Sequence, residues 1–416
     1  MTKIAKLSLV VSMVLVTSTC ADTLEEAFKA SKVTGEIKAE YADSNFLGKA
    51  SSDNVSAVGG SLGIVTGQYY GLKAGVTFQT SHLLDIDNEG SVFKDDLDAQ
   101  GSVLSEAYLD YKISNTSLKV GRQYIYTPLV STSVDGQPSE SLLKDSFEAY
   151  MVTNSDLPND LPNTTLMAGY ISKYQNQTDG DGNTGEFVKD QVQDGAYTVH
   201  VKNKSIENLT LQAQYLGING YTSGSDKDVL YFQADYVLAK HTLSAQYISS
   251  TDKSLGSTLK DGQAWGVKAT GPLGLGQLGY VTAFTSSMDD GEVYAGLGKG
   301  TSDLLFTAMP VNGAGVAQRG NADTIVGGIM VPIAGVTFVP YAGKSFCNPN
   351  SINSSSLMGD VTGTGLIVIY PYNKNFFIKA NYEHVTTENT YPGVLPNGYL
   401  NDKATDVAKV YLSYKF

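Results

Sequence analysis

Arginine is almost missing from this chain. Of its 29 basic residues only two, Arg122 and Arg319, are arginine, and 42 acidic residues outweigh them to a formal net charge of −13. That balance argues against a nucleic-acid partner, which requires a positive surface. Cysteine is scarce too: Cys20 and Cys347 are the only two, so no framework of disulfides holds the fold. Tryptophan occurs once. Beyond the N-terminal segment no apolar run reaches the roughly 18 residues that a membrane helix needs. This excludes membrane helices but not membrane strands, whose apolar residues are diluted one in two.

Glycine and tyrosine are plentiful, at 43 and 26 among 416 residues. The first 21 residues read as a secretory signal, with Lys3 and Lys6 ahead of the apolar stretch "LSLVVSMVLV". Cleavage after Ala21, or after Cys20, removes both lysines and takes the charge from −13 to about −15. Thr17 and Thr19 stand where lipid attachment to Cys20 would call for a leucine and a small residue. Cys347 is then the one thiol left, so no internal disulfide is possible. In the 22–31 lead-in, Thr23 followed by Glu26 forms a capping-box pattern and predicts a short helix from about Leu24 to Ala30.

From residue 32 to 416 the dominant pattern is alternation. The chain ends "KVYLSYKF", in which Phe416, Tyr414, Leu412 and Val410 share one face and Lys415, Ser413, Tyr411 and Lys409 the other. "VTGEIKAEY" sets Val33, Ile37, Ala39 and Tyr41 against Thr34, Glu36, Lys38 and Glu40, and "LKAGVTFQ", "NLTLQAQYL" and "FFIKANYEH" repeat the theme. Period-two alternation is the mark of a strand with different solvents on its two faces. Segments of this kind fall near 32–43, 55–66, 70–80, 102–112, 116–124, 145–153, 163–173, 194–202, 208–216, 229–237, 240–249, 263–270, 275–285, 322–330, 335–342, 363–370, 376–386 and 407–416. That is about eighteen, an even number.

The connections decide what these strands build. Brief turns such as "GQY", "ISN", "LA", "GPLG", "VPIA" and "PYNKN" alternate with the long stretches 81–101, 125–144, 174–193, 250–262, 286–321, 343–362 and 387–406. "SDLPNDLPN" is the one long turn on the short-turn side. A membrane-spanning antiparallel β-barrel, with short periplasmic turns and long extracellular loops, has this rhythm. A soluble sandwich has no reason for it. "SDLLFTAM" at 302–309 alternates like a strand, but counting it would make the total odd, so it is assigned to a loop.

Several local patterns lead to no chemistry. "DGDGNTGEFVKD" places Asp179, Asp181, Asn183 and Asp190 as in a calcium loop, but Thr184 stands where the glycine belongs and no helices flank it. His82, His200, His241 and His384 share no metal spacing, and no serine or histidine sits in a recognisable catalytic context. "GPLGLGQLG" follows a strand and lacks the helix of a phosphate loop. No enzyme activity, metal or cofactor is expected.

The signal, "ADTLEEAFK", "VTGEIKAEY", "LKVGRQYIYTPL" and the closing "YLSYKF" together resemble the epsilonproteobacterial outer-membrane porins, related to the Campylobacter major outer-membrane protein and loosely to the OprD family. The resemblance spans the whole mature chain. It implies an eighteen-stranded porin, usually a homotrimer, with the third long loop folded into the lumen as a constriction. The aromatic ending also resembles the signal that outer-membrane proteins present to the barrel assembly machinery, which assigns that role to Phe416, Tyr414 and Leu412. Implied partners are outer-membrane lipid and lipopolysaccharide. Passive diffusion of ions and small hydrophilic solutes is the expected function; the alternative is an adhesin or surface-recognition barrel, and an outer-membrane enzyme ranks below both.

A filter works through charge at its narrowest point. The third loop carries Asp135, Glu140 and Asp145 against a single base, Lys144, with Pro128 and "DGQP" stiffening it. Three acids against one base predict a weak cation preference. Strict alternation from Leu118 and Val120 would put Arg122 on the lipid face, whereas its likeness to the "GR" stretch of general porins puts it inward; we take it as inward, opposite the acids. Parity places Lys38, Lys73, Glu106, Asp110, Lys119, Lys379 and Glu383 on the lumen wall, together with Glu36, Glu40, Asp235, Lys268 and Lys409.

Overall fold

The computed structural model describes residues 21–47, 52–84, 100–155, 162–179, 182–221, 225–253, 261–288, 291–310, 317, 321–347, 359–388 and 402–416. A helix, α1 (Leu24–Lys29), leads in. Thr23 accepts from the Glu26 backbone and the Glu26 side chain reaches back to close the capping box. The helix sits at the short-turn end, where Gly67 donates its N–H to the Ala27 carbonyl.

The wall begins with β1 (Lys32–Leu47), β2 (Ser52–Val65), β3 (Leu72–Leu83), β4 (Gly101–Ile113), β5 (Thr116–Gln123), β6 (Ser146–Asn154) and β7 (Thr164–Gln175). After the two-residue β8 (Phe187–Val188) come β9 (Ala196–Asn203), β10 (Leu209–Tyr221), β11 (Ser225–Leu238), β12 (His241–Asp252), β13 (Gly262–Pro272) and β14 (Gly279–Met288). The circuit ends with β15 (Ala322–Ile333), β16 (Val336–Cys347), β17 (Val361–Pro371), β18 (Phe376–Glu388) and β19 (Asp402–Lys415). Every pairing is antiparallel, and β19 pairs back onto β1, so the sheet has no free edge. Closure matters because hydrocarbon offers no partner to an unpaired backbone group.

Each of the eighteen expected segments is a wall strand. The extra strand, β8, is a short addition to the end of β7, which itself pairs with β9. The expected start of β14 at residue 275 was too early. Gly274 and Gly276 are left-handed, at φ 75° and 61°, and Leu278 donates to the Leu275 carbonyl, so the turn runs on to Gly279. Residues 302–309 form no strand; their region holds a 3₁₀ turn, Lys299–Asp303.

Closure at the C-terminus explains the aromatic ending. Phe416 and Gly35 exchange both backbone hydrogen bonds at 3.0 Å. The Phe416 ring lies over Gly35, where an added Cβ would meet ring carbons at 2.2 Å. Tyr414 stacks beside it, with ring centroids 6.3 Å apart. Phe416, Tyr414 and Leu412 all point outward, on the same face as Val33 and Ile37. No helix among the described residues is long and apolar enough to cross a membrane; the strands cross instead. The fold is that of a multi-pass outer-membrane barrel.

Candidate functional site: the inward third loop

The third long connection, residues 124–145, touches opposite walls and therefore crosses the lumen. Near its start the Leu129 N–H donates to Gln214 Oε1 on β10 at 2.8 Å. Past its middle, Glu140 pairs with Lys379 on β18 at 3.0 Å, and Tyr411 on β19 donates to the Glu140 carbonyl. Strands β18 and β19 lie half a circuit from β10. A second segment folds inward beside it. Ser131 donates to the Leu297 carbonyl, Leu297 to Leu129 and Gly300 to Ser131, a strand-like pairing inside the barrel. Beyond it, Phe306 lies under the Lys268 ammonium of β13 and Thr307 bonds Thr285 of β14.

These two segments bury an apolar core within the lumen. Leu129, Val130, Leu297 and Leu305 pack against inward-facing Leu216, Ile218, Val229 and Ile248 of β10 to β12. Sequence reasoning missed this inner packing. Its signal was present: those inward positions of β10 to β12 should be polar if they faced water.

The loop's acids serve as anchors. Asp135 receives Lys38 at 2.8 Å, Lys415 at 2.7 Å and Lys144 at 3.2 Å. Burial works to raise its pKa, but these three ammonium groups hold its carboxyl well below the usual carboxylate range. Lys38 also donates to the Ser141 carbonyl, and Gln79 of β3 bonds Lys144 in both directions. Glu140 and Lys379 are each only 3 % exposed at the side chain, so this pair is buried under the loop. Asp145 is fully covered. It accepts the N–H groups of Ser133 and Lys299, which ties both inward segments together, and burial pushes its pKa up to about 6. Asp303 plays the matching part for Ser139, accepting from its N–H at 2.9 Å and from its hydroxyl, and burial again pushes it up to about 6.

Of the expected group, Asp135 and Lys144 keep partial access to water, with side chains about one-fifth exposed, whereas Glu140 and Asp145 do not. Tyr126, which sequence reasoning passed over, projects from the loop with 45 % of its surface accessible; desolvation inside the barrel, followed by the nearby carboxylates of Asp135, Glu106 and Asp145, raises its pKa. Lys415, absent from the expected set, joins the cluster because the last strand ends beside β1.

On the wall, Glu106 accepts from Thr77 at 2.7 Å and from the Tyr124 N–H, and lies 3.5 Å from Lys119. The Lys119 ammonium sits 3.7 Å over the Tyr108 ring. Asp110 accepts from Ser117 and stands opposite both Lys73 and Lys119 in the strand register. Glu383, fully buried, accepts from Tyr341 at 2.6 Å.

Arg122 is a correction. It stands opposite Ala107 and Glu148, on the face shared by outward Leu118, Leu109, Tyr150 and Val152. No bulge interrupts β5, so alternation prevails over the motif likeness. Its guanidinium lies 4.1 Å over the Phe187 ring and 3.7 Å from Glu148, which also meets Lys173 at 3.6 Å. An arginine facing hydrocarbon costs about 2–4 kcal/mol at the midplane, so this position calls for a local explanation. In the 179–190 stretch, Asn183 holds both Asp179 oxygens; Asp181 lies outside the described residues. No cluster of three metal-binding side chains gathers among the described residues.

The fold and site together define a closed eighteen-stranded outer-membrane barrel whose third loop folds into the lumen. Comparison with solved structures agrees. OccAB1 of Acinetobacter baumannii superposes with TM-score 0.70 at 12 % identity, covering 96 % of this chain and 98 % of that one. OpdO of Pseudomonas aeruginosa gives TM-score 0.69 at 14 % identity, covering 94 % and 98 %, and OccK8 (OprE) of the same organism 0.67 at 15 %, covering 94 % and 99 %. No protein-family model and no curated protein sequence matches the chain.

Proposed function

We propose that this chain is a porin, a water-filled channel for passive diffusion of ions and small hydrophilic solutes across the outer membrane. The observation that carries the reading is the third loop, held across the lumen by Asp135 and Glu140 on wall lysines Lys38, Lys415 and Lys379. A loop anchored in this way narrows a barrel permanently, which suits a sieve more than a catalyst. Likeness to outer-membrane channels of the OprD/Occ type supports it. Nothing among the described residues favours the adhesin alternative.

Within this reading the narrow zone is bordered by Asp135, Lys144, Lys415 and Tyr126, and the wall charges Glu106, Asp110 and Lys119 continue the polar path. Cation preference is weak, because lysines neutralise the loop's acids. Residues 1–21 direct Sec-type export, the terminal aromatic strand is read by the barrel assembly machinery, and the working unit is a homotrimer. The narrower kinship with epsilonproteobacterial porins rests on the sequence segments alone. Purified protein added to a planar bilayer tests the function: stepwise conductance is expected, and a silent bilayer refutes the channel.

A further inference from the structure

One inward position nearer the short-turn end than Gln214, which holds the third loop, the wall carries a row of amides. Gln212 on β10, Gln233 on β11 and Gln246 on β12 stand directly opposite one another in the strand register, on the face that Gln214 shares. Gln212 Nε2 donates to Gln233 Oε1 at 2.9 Å, and the Tyr231 hydroxyl donates to the same oxygen at 2.6 Å. Gln233 Nε2 in turn donates to both Asp235 oxygens at 2.8 Å, and Ser244 adds a bond to Asp235 at 2.6 Å. On the next inward position Asp235, Ser244 and Lys268 follow one another across β11, β12 and β13. The Lys268 ammonium lies 4.2 Å over the Phe306 ring, which the second inward segment brings to this wall.

Interlocking fixes these side chains before any solute arrives, and hydrogen-bonding capacity remains. Gln212 keeps a second amide hydrogen, Lys268 its ammonium donors and Asp235 a fourth acceptor position. Gln212, Gln233, Asp235, Lys268 and Phe306 are half-buried, so a solute in the lumen reaches them. Donors and acceptors thus alternate across strands about 4.8 Å apart. A carboxylate solute could use Lys268 but would be repelled by Asp235, which accepts and cannot donate. A hydroxyl both donates and accepts, so several hydroxyls on one small ring satisfy the whole set. Phe306 supplies apolar surface for the C–H face of such a ring. We infer that this patch is a subsite for an uncharged polyhydroxyl solute, a saccharide, met just past the third loop. The inference rests on the channel reading for how the solute arrives, and it names a class of solute for that channel. Occupancy is brief, because a site in a channel must release what it takes.

The test uses the full chain with maltotriose, a neutral trisaccharide, as probe. In planar bilayers millimolar maltotriose should interrupt the ion current. In detergent its ring protons should receive saturation transfer from the protein by NMR. Asp235→Asn, which keeps the side-chain shape, should raise the half-effective concentration about fivefold, and Gln233→Leu about tenfold. Heat-modifiable migration shows that each variant is folded. Free serine and gluconate are the competing probes: a zwitterion or an anion that binds more tightly than maltotriose overturns the inference. So does a conducting channel that ignores maltotriose in both measurements, or folded variants that respond as the wild type does. A silent bilayer with saturation transfer intact indicts the channel and upholds the subsite, whereas silence in both measurements refutes the two together.

Discussion

Replacing Asp135 with asparagine tests the inward loop most directly. The carboxylate lies within 3.2 Å of three ammonium groups, and Lys38 among them is only 5 % exposed at the side chain. Breaking a buried pair costs about 3–5 kcal/mol when one charge is left alone. Glu36 remains 3.6 Å from Lys38 and 3.4 Å from Lys415 and offsets part of that, so we expect the latch to weaken by about 2 kcal/mol. The electrical effect can be sized separately. A unit charge about 5 Å from a passing ion changes its energy by roughly 0.5 kcal/mol in a wet pore at 0.1 M salt. Cation entry then falls about twofold and anion entry rises about as much, moving the permeability ratio about fourfold toward anions. Reversal potentials in a salt gradient read the ratio, and open-channel noise reads the latch. In the double variant Asp135→Asn with Lys38→Met the shift should largely vanish, because the orphaned ammonium has gone. An Asp135→Asn channel with wild-type selectivity and noise would mean that this carboxylate is outside the conducting path.

Phe416→Ser should lower outer-membrane assembly without blocking export, and Gly35→Val should do the same by evicting the ring that lies over Gly35; normal heat-modifiable barrel from either variant would show the ending to be incidental. Asp145 and Asp303 have folded pKa values raised to about 6, so their contribution is fully present below the unfolded value near 4 and is lost as pH rises through about 6. Asp135, held low, adds no change in that window. The unfolding temperature should therefore rise as pH drops from 7.5 to 5, and Asp303→Asn should flatten part of the rise; a flat wild-type profile would refute the assignment.

Period-two alternation and the long–short rhythm of connections were enough to place all eighteen wall strands. Both follow from local rules: side chains alternate along a strand, and a barrel between two solvents needs greasy and wet faces in turn. Charge parity likewise set Lys38, Glu106, Lys119 and Lys379 on the inner face. What the sequence could not decide was which charges meet. Asp135 and Lys415 are 280 positions apart and touch only because the barrel closes and the loop turns inward. Asp145 reads as a pore acid until folding covers it and gives it two backbone donors. Arg122 shows the reverse: alternation, a strictly local rule, was right about its direction, and motif likeness was not. The inner apolar core could be sensed in Leu216, Ile218 and Ile248, but what fills it came from the third loop and from residues 291–310, both distant in the chain. Strand identity is written in neighbouring residues, whereas the pairing of charges depends on loop closure across the whole circumference, and only tertiary structure decides that.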